Sequence, residues 1–260
     1  MRKAFIMKQR IKKIVKEILL RRGFEVRRAL SSGPIHSFDH TFERLEFMRG
    51  LGFYPRTVFD VGASDGQWTR NCLSVFEEAQ FFCVEPLDNN QYYLSRLNIE
   101  HPNVRYWQGC LGSEAGMQIM NEEGVGSSLL PGHTGNPYGI QRKVRVETMN
   151  NLLKRGICPQ PDLIKLDVQG YELEVLKGAT DALRKTQAII MEVSFFPFQT
   201  GMPMFNEVIH QLSEYGFVVH DILSLFFRPL DSSSAQTDLL FLKAAHPLRS
   251  SNKWDLDSIY

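Results

Sequence analysis

Four short apolar runs in this chain each stop at an acid: Thr57-Val58-Phe59 before Asp60, Phe81-Phe82-Cys83-Val84 before Glu85, Leu163-Ile164-Lys165-Leu166 before Asp167, and Ala188-Ile189-Ile190-Met191 before Glu192. Runs of this length alternate with segments of helical character, the pattern of strands in a parallel sheet. Ligands of such sheets bind outside the carboxyl ends of the strands, so the pattern places all four carboxylates along one edge. Taken singly, each acid reads equally well as a cap or a solvated turn residue. The fourfold repetition is what points to a site.

The remaining elements fill in around these strands. Helices are expected near Phe42 to Arg49, over 88–98, near Asn150 to Lys154 and near Met204 to Tyr215. A third strand, Asn103 to Trp107, ends at Gln108, Gly109 and Cys110. The segment from Leu163 to Ala179 reads as strand, Asp167, a turn at Gly170, and a helix whose Leu173, Val175 and Leu176 face inward before Gly178 ends it. Between Gly112 and Pro161 the two glycine-rich stretches 124–133 and 135–139 read as turn chemistry, not sheet, with a short strand at Val144 to Val146. Long loops of this kind often form lids or substrate-binding segments. The tail supplies strands Phe217 to Leu223 and Asp238 to Lys243, joined without room for a crossover helix and therefore antiparallel. The expected fold class is α/β: a mostly parallel twisted sheet with one antiparallel strand near the C-terminus and helices on both faces.

The stretch from Val58 to Gln67 carries the first chemistry. An apolar strand, an acid and two glycines, Gly62 and Gly66, build a tight turn through Ala63 and Ser64 that lets the backbone approach a ligand closely. The residues from Gln67 onward can open a helix aimed at that ligand. The dinucleotide fingerprint Gly-x-Gly-x-x-Gly is not satisfied, because Asp60 occupies its first glycine position. The turn points instead to an S-adenosylmethionine (SAM) site, although the same string also occurs as an ordinary strand-to-helix turn. Glu85 follows Asp60 by 25 residues, near the roughly twenty-residue offset at which a strand-end acid reaches ribose hydroxyls. Pro86 cannot extend the strand and so fixes where that acid sits. Gly109 and Cys110 fall where a nucleoside base would lie.

Charge and length set the boundaries. At 260 residues with 43% hydrophobic and 23% charged residues, the chain suits one substantial soluble α/β domain with an extension. No run of about 18 uncharged apolar residues is present, and the N-terminus lacks the apolar core of a secretory signal, so the expected location is the cytoplasm. The net charge of +1 hides +9 on residues 1–30, which leaves −8 on the rest. Met7, Ile11, Ile14, Val15, Ile18 and Leu19 recur at helical spacing, making residues 4–22 a basic amphipathic helix. Such a helix can lie on the inner membrane surface, or pack on the domain or a second subunit, leaving the oligomeric state open. Residues 1–30 are read as this extension and 31–260 as the catalytic domain. An acidic body argues against a nucleic-acid partner. The cysteines at 72, 83, 110 and 158 show no metal-ligand spacing and read as reduced structural thiols.

Together these residues resemble the FkbM family of SAM-dependent methyltransferases. The resemblance rests on the glycine turn from Asp60, on Glu85-Pro86, on the string Leu163 through Ala179, on Met191-Glu192-Val193 and on the closing Asp238-Leu239-Leu240-Phe241. It spans about residues 50–245, and the string around Asp167 is its most specific part. The family often has Asn at Ser64, Glu at Gln169 and Leu-Asp at Met149-Asn150. The resemblance implies a class I Rossmann-like fold, SAM as donor, and O-methylation, commonly of a hydroxyl on a sugar, glycan or natural product. Cofactor contacts fall to Asp60, Gly62, Ala63, Ser64, Gly66, Gln67, Glu85, Pro86, Gly109, Cys110 and Asp167.

Methyl transfer needs the acceptor oxygen held in line with the methyl carbon and the sulfur, and a base to take the hydroxyl proton. Asp167 is the first candidate for that base, followed by Glu172, Glu192 and His133. The alternatives are a cofactor or structural hydrogen bond for Asp167, a helix cap for Glu172 and a surface position for His133. No metal site is assigned, although Asp167 with Glu192 could take a divalent ion. The acceptor pocket is expected from the 112–140 loop and from Phe195, Phe196 and Phe198. The competing function is a non-catalytic SAM-binding or scaffold protein that uses its basic helix for a membrane or protein partner.

Overall fold

The computed structural model describes residues 37–130 and 140–253. The expected helix over 4–22 and the candidate His133 lie outside them. In chain order the elements are β1 (Phe38–Asp39), α1 (Thr41–Gly50), β2 (Thr57–Val61), α2 (Gln67–Val75), β3 (Gln80–Glu85), α3 (Asp88–Glu100), β4 (Val104–Gln108), β5 (Cys110–Leu111), β6 (Gly116–Glu122), β7 (Ile140–Glu147), α4 (Met149–Lys154), β8 (Leu163–Leu166), α5 (Glu172–Lys177), α6 (Thr180–Leu183), β9 (Ala188–Ser194), α7 (Phe205–Glu214), β10 (Phe217–Ile222), β11 (Ser224–Phe227) and β12 (Ser234–Lys243).

The main sheet runs β4-β3-β2-β8-β9-β12, with β10 and β11 following one another along the free side of β12 and β1 on β11. The five strands β4, β3, β2, β8 and β9 are mutually parallel. β12 runs antiparallel to β9 on one side and to β10 on the other. It has no helix between itself and β11, and without a crossover the chain can only return antiparallel.

Alternation along the strands sorts side chains onto two faces. Phe59, Val61, Phe82, Ile164, Leu166, Ile189 and Met191 pack with Leu152, Val175, Leu176 and Leu212, so α4, α5, α6 and α7 cover one face. Val58, Phe81, Cys83, Leu163 and Ile190 pack with Leu45, Cys72 and Leu94, so α1, α2 and α3 cover the other. A sheet buried on both faces explains the near-continuous apolar runs read from the sequence. Each large side chain buried this way contributes roughly 1.5–3 kcal/mol. Among the described residues no helix is long and apolar enough to cross a membrane.

Two expectations are corrected. The stretch after Gly112 is not turn throughout: β6 and β7 pair antiparallel from Gly116↔Val146 to Glu122↔Ile140, and β5 adds in parallel to β7. This small second sheet was hard to read because Met117 and Ile119 stand exposed on it, which blurs the alternation that marks a half-buried strand. The aromatic residues after Glu192 do not form a pocket wall. Phe195 stacks on Phe205 of α7 at 5.2 Å between centroids, and the Arg228 guanidinium covers the Phe196 ring at 4.1 Å.

Candidate active site

The chain leaves β2 toward β3 and β4 on one side, then returns to place β8 on the other side of β2. The carboxyl ends of β2 and β8 therefore form the topological switch point, where open α/β sheets bind ligands. Gly62 follows β2 and Asp167 follows β8, and their backbones touch: a Cβ on Gly62 would lie 1.9 Å from the Asp167 carbonyl oxygen. With φ at +81°, position 62 admits only glycine on both counts.

The turn after Gly62 is braced from within. Gly62 and Ala63 donate their N–H groups to the Val84 carbonyl at 3.0 and 3.1 Å, and Gly66 donates to Ala63 at 2.8 Å. Ser64 N–H donates to Glu85 Oε2 at 2.9 Å, and Leu87 N–H to Glu85 Oε1 at 2.9 Å. A phosphate cradle needs free backbone N–H groups, and these are already committed. What remains open is the Glu85 carboxylate, fixed through both oxygens, with further lone pairs to accept a vicinal diol. Burial pushes its pKa up, against the backbone donors that pull it down. Gly109, at φ +152°, lines the cavity near Glu85, where a Cβ would lie 2.5 Å from the Trp107 ring, and Cys110 follows it. Burial, then the Glu85 charge, pushes the Cys110 thiol up to about 12, so it stays protonated.

Behind the cavity wall lies a charged group that no pattern in the sequence announced. Lys165 in β8 sits directly across from Asp60 in β2. Its Nζ lies 3.2 Å from Asp60 Oδ1 and 3.3 Å from Asp167 Oδ2, and it donates to the Gly62 carbonyl at 3.2 Å. Thr69 Oγ1 of α2 donates to the other Asp60 oxygen at 2.6 Å. Burial alone would lower the lysine's pKa, but Asp60 and Asp167 hold it above the ordinary value. The ammonium therefore stays charged and ties the ends of β2 and β8 together.

The acids at the other side of the switch point converge. Gln169 donates through Nε2 to Asp167 Oδ1 at 2.8 Å and reaches Glu192 Oε1 at 3.4 Å. Gln236 of β12 donates to the same Glu192 oxygen at 2.7 Å. Asp238 faces Glu192 directly across the antiparallel pair. Burial first, then the Asp167 charge, then Asp238, drives the Glu192 carboxyl well above the usual range. Gln169 and Ser64 are non-glycine residues in left-handed backbone, at φ +54° and +50°. Strain of about 1–3 kcal/mol each persists only where surroundings enforce it. For Gln169 those surroundings include the Ser128 hydroxyl, which donates to its carbonyl at 2.7 Å.

A cavity of about 420 Å³ joins these parts, in the size range of small-ligand sites. It brings together Gly62, Ser64, Glu85, Pro86, Gly109, Cys110, Asp167 and Glu192 from the residues singled out in the sequence. It does not include Asp60, Ala63, Gly66, Gln67 or Glu172. Asp60 is fully buried against Lys165, and Ala63 belongs to the core under α2. A Cβ on Gly66 would lie 2.9 Å from Leu97 of α3, so this glycine serves helix packing. Gln67 turns to solvent and donates to Asn71. Glu172 folds under the turn that carries Asp167, where Oε1 accepts from Val168 and Gly170 N–H at 3.0 and 3.1 Å. Gln169, Tyr171, Gln236 and the segment Ser127–Leu129 line it as well, alongside apolar side chains such as Val84, Leu87 and Met120. Gln169 and Tyr171 lay within a motif and Ser127–Leu129 within the glycine-rich stretch of the 112–140 loop; Gln236 is 44 residues from Glu192 and carried no local signal.

The chain matches the methyltransferase FkbM domain over residues 60–219. A stretch of 44 residues, 17% of this chain and 18% of the relative, is 46% identical to hexuronic acid methyltransferase AglP of Haloferax volcanii. Over 176 residues, 62% of this chain and 72% of the relative, it is 25% identical to 2-O-methyltransferase NoeI of Sinorhizobium fredii. The crystal structure of methyltransferase FkbM from Methylobacillus flagellatus superposes with a TM-score of 0.51 at 15% identity, covering 77% of this chain and 48% of that one. The chain thus spans less than half of the solved relative and under a fifth of AglP. Because the domain match takes in more than half of its residues, on a sheet of the same fold, the chain belongs to the FkbM family of SAM-dependent methyltransferases, with SAM as the methyl donor.

Proposed function

We propose that this protein is an O-methyltransferase acting on a hydroxyl of a sugar, glycan or natural product, with the chemistry at the carboxyl ends of β2, β3, β8 and β9. The observation that carries the reading is the division of one cavity: a braced carboxylate, Glu85, on one wall, and an acid–amide cluster of Asp167, Gln169, Glu192 and Gln236 on the other. Glu85 suits the ribose hydroxyls, and Gly109 and Cys110 line the same cavity on the side where the base would lie. SAM supplies an electrophilic methyl group on a positively charged sulfur.

The acid–amide cluster suits a polyol. Carboxylates accept hydrogen bonds from hydroxyls, and the amides both donate and accept. Holding an acceptor hydroxyl about 3–3.5 Å from the carbon it attacks supplies most of the rate in a displacement of this kind. A base for its proton contributes typically 10²–10⁴-fold more. The names of the two curated relatives support an acceptor of this class, since one acts on a hexuronic acid and the other methylates a 2-hydroxyl. The family match begins at residue 60, so this reading leaves the basic segment 1–30 outside the chemistry and keeps 31–260 as the catalytic domain.

The test is calorimetric titration with SAM, S-adenosylhomocysteine (SAH) and NAD, followed by transfer of labelled methyl from SAM to a panel of hexosides and hexuronosides. Tight binding of SAM and SAH without NAD, and label in an alkali-stable ether on a sugar, is the expected result. Folded protein that binds no SAM would overturn the enzyme reading. Label confined to carboxyl esters or amines would overturn O-methylation of a hydroxyl.

A further inference from the structure

Two carboxylates line the acceptor side of the cavity, and the structure gives them unlike surroundings. Asp167 holds the Lys165 ammonium at 3.3 Å and the Gln169 amide at 2.8 Å. Glu192 has no ion-pair partner among the described residues. The groups that face it are Asp167 and Gln169 from the turn after β8, Glu172 from the start of α5, Lys165 from β8 itself, and Asp238 and Gln236 from β12. Three of these are carboxylates, and the single cation is committed to Asp60 and Asp167. Like charges gathered in this way cannot all ionise. Asp167 has a cation, Glu172 accepts two backbone N–H groups and Asp238 the Ser224 hydroxyl, whereas Glu192 accepts only from side-chain amides and is the one of the three cation-free acids that lines the cavity.

We propose that Glu192 is the catalytic base, that it surrenders its proton to solvent when the sulfonium-bearing donor enters the cavity, and that it takes a proton from the acceptor hydroxyl during methyl transfer. Asp167 is then a positioning residue, kept ionised and oriented by Lys165 and Gln169. The inference rests on the methyl-transfer reading given above. In the transfer step the acceptor oxygen forms its bond to the methyl carbon while the carbon–sulfur bond breaks, its electron pair going to sulfur. The hydroxyl proton goes to Glu192. Sulfur loses its positive charge as Glu192 loses its negative one, so the net charge of the site is the same before and after the step. Burial and the surrounding acids, which hold the free carboxyl protonated, also make its ionised form a strong base. Ionisation thus comes only with the donor in place.

The distinction between SAM and SAH tests this without an acceptor. The two share the amino acid, the ribose and the base, and differ by one methyl group and one positive charge. Calorimetry at about pH 7.5, in two buffers of different ionisation enthalpy, counts the protons released on binding each. The expected result is close to one more proton released with SAM than with SAH. SAM affinity relative to SAH should then rise up to about tenfold per pH unit on the acid side of the Glu192 titration. Glu192→Gln, which keeps an oxygen for Gln236, should abolish the excess while still binding SAH. Equal proton counts for the two ligands in the unaltered protein would overturn the assignment, as would an excess that survives in the variant. Failure of SAM to bind at all would overturn methyl transfer itself, a result distinct from SAM binding with no excess proton.

Discussion

Lys165 Nζ lies 3.2 Å from Asp60 Oδ1, with the lysine side chain 9% and the aspartate 0% exposed. The pair crosses the switch point of the sheet, and the same ammonium reaches Asp167. Removing one partner of a buried ion pair strands the other charge, at a cost of about 3–5 kcal/mol. Lys165→Met should therefore lose about that much stability in urea denaturation. Asp60→Asn combined with Lys165→Met should recover a large part of it. A single variant that loses less than about 1 kcal/mol would show the pair to be dispensable.

Gly62→Ala should destabilise by roughly 2–4 kcal/mol and abolish SAM binding, since the new Cβ meets the Asp167 carbonyl in left-handed backbone. Gly116→Ala, where nothing lies within 4 Å of the added carbon, should stay within about 0.5 kcal/mol of the parent. Comparing the two melting curves separates the close approach at the switch point from any general effect of losing a glycine.

Glu85→Ala should weaken SAM binding by about 10–100-fold, the worth of hydrogen bonds to a charged group. The variant also frees the Ser64 and Leu87 N–H groups that the carboxylate holds, so SAH should weaken in parallel. An unchanged Kd for both ligands would remove Glu85 from the donor site.

Glu172 gives a pH signature of its own. Burial pushes its carboxyl from the ordinary 4.5 up to about 7, against the N–H groups that pull it down. A carboxyl whose pKa is raised on folding favours the folded state at low pH, and this contribution disappears as pH climbs through the folded value. Between pH 4.5 and just above 7 the wild type should thus lose about 3 kcal/mol relative to Glu172→Gln. Denaturation midpoints for the two proteins measured across that window should converge or cross. Parallel profiles would mean that Glu172 does not titrate there.

Much of the site was legible in advance because its strands are local. An apolar run that stops at an acid needs no partner to be recognised, and Glu85 at the end of β3 and Asp167 just past β8 both sit on the cavity; Glu192 reaches it from within β9. The antiparallel strand was equally legible, since no helix separates it from the strand before it in the chain.

Other features depend on register, which no local pattern carries. Asp60 looks like a fourth strand-end acid, yet it lies within β2 on the same sheet face as Lys165 of the neighbouring strand, so its charge is spent inside the protein. Gly66 reads like a ligand-contacting glycine, but it serves helix packing: Leu97, 31 residues away, leaves no room for a side chain there. Gln236 meets Glu192 only because β12 folds back beside β9. The amino-acid order was enough to specify the strands, the glycine turn and the supply of acids, through periodicity and backbone freedom. Which acid meets a lysine, which meets another acid and which faces the cavity follow from strand pairing across long separations, because pKa and contact depend on neighbours in space.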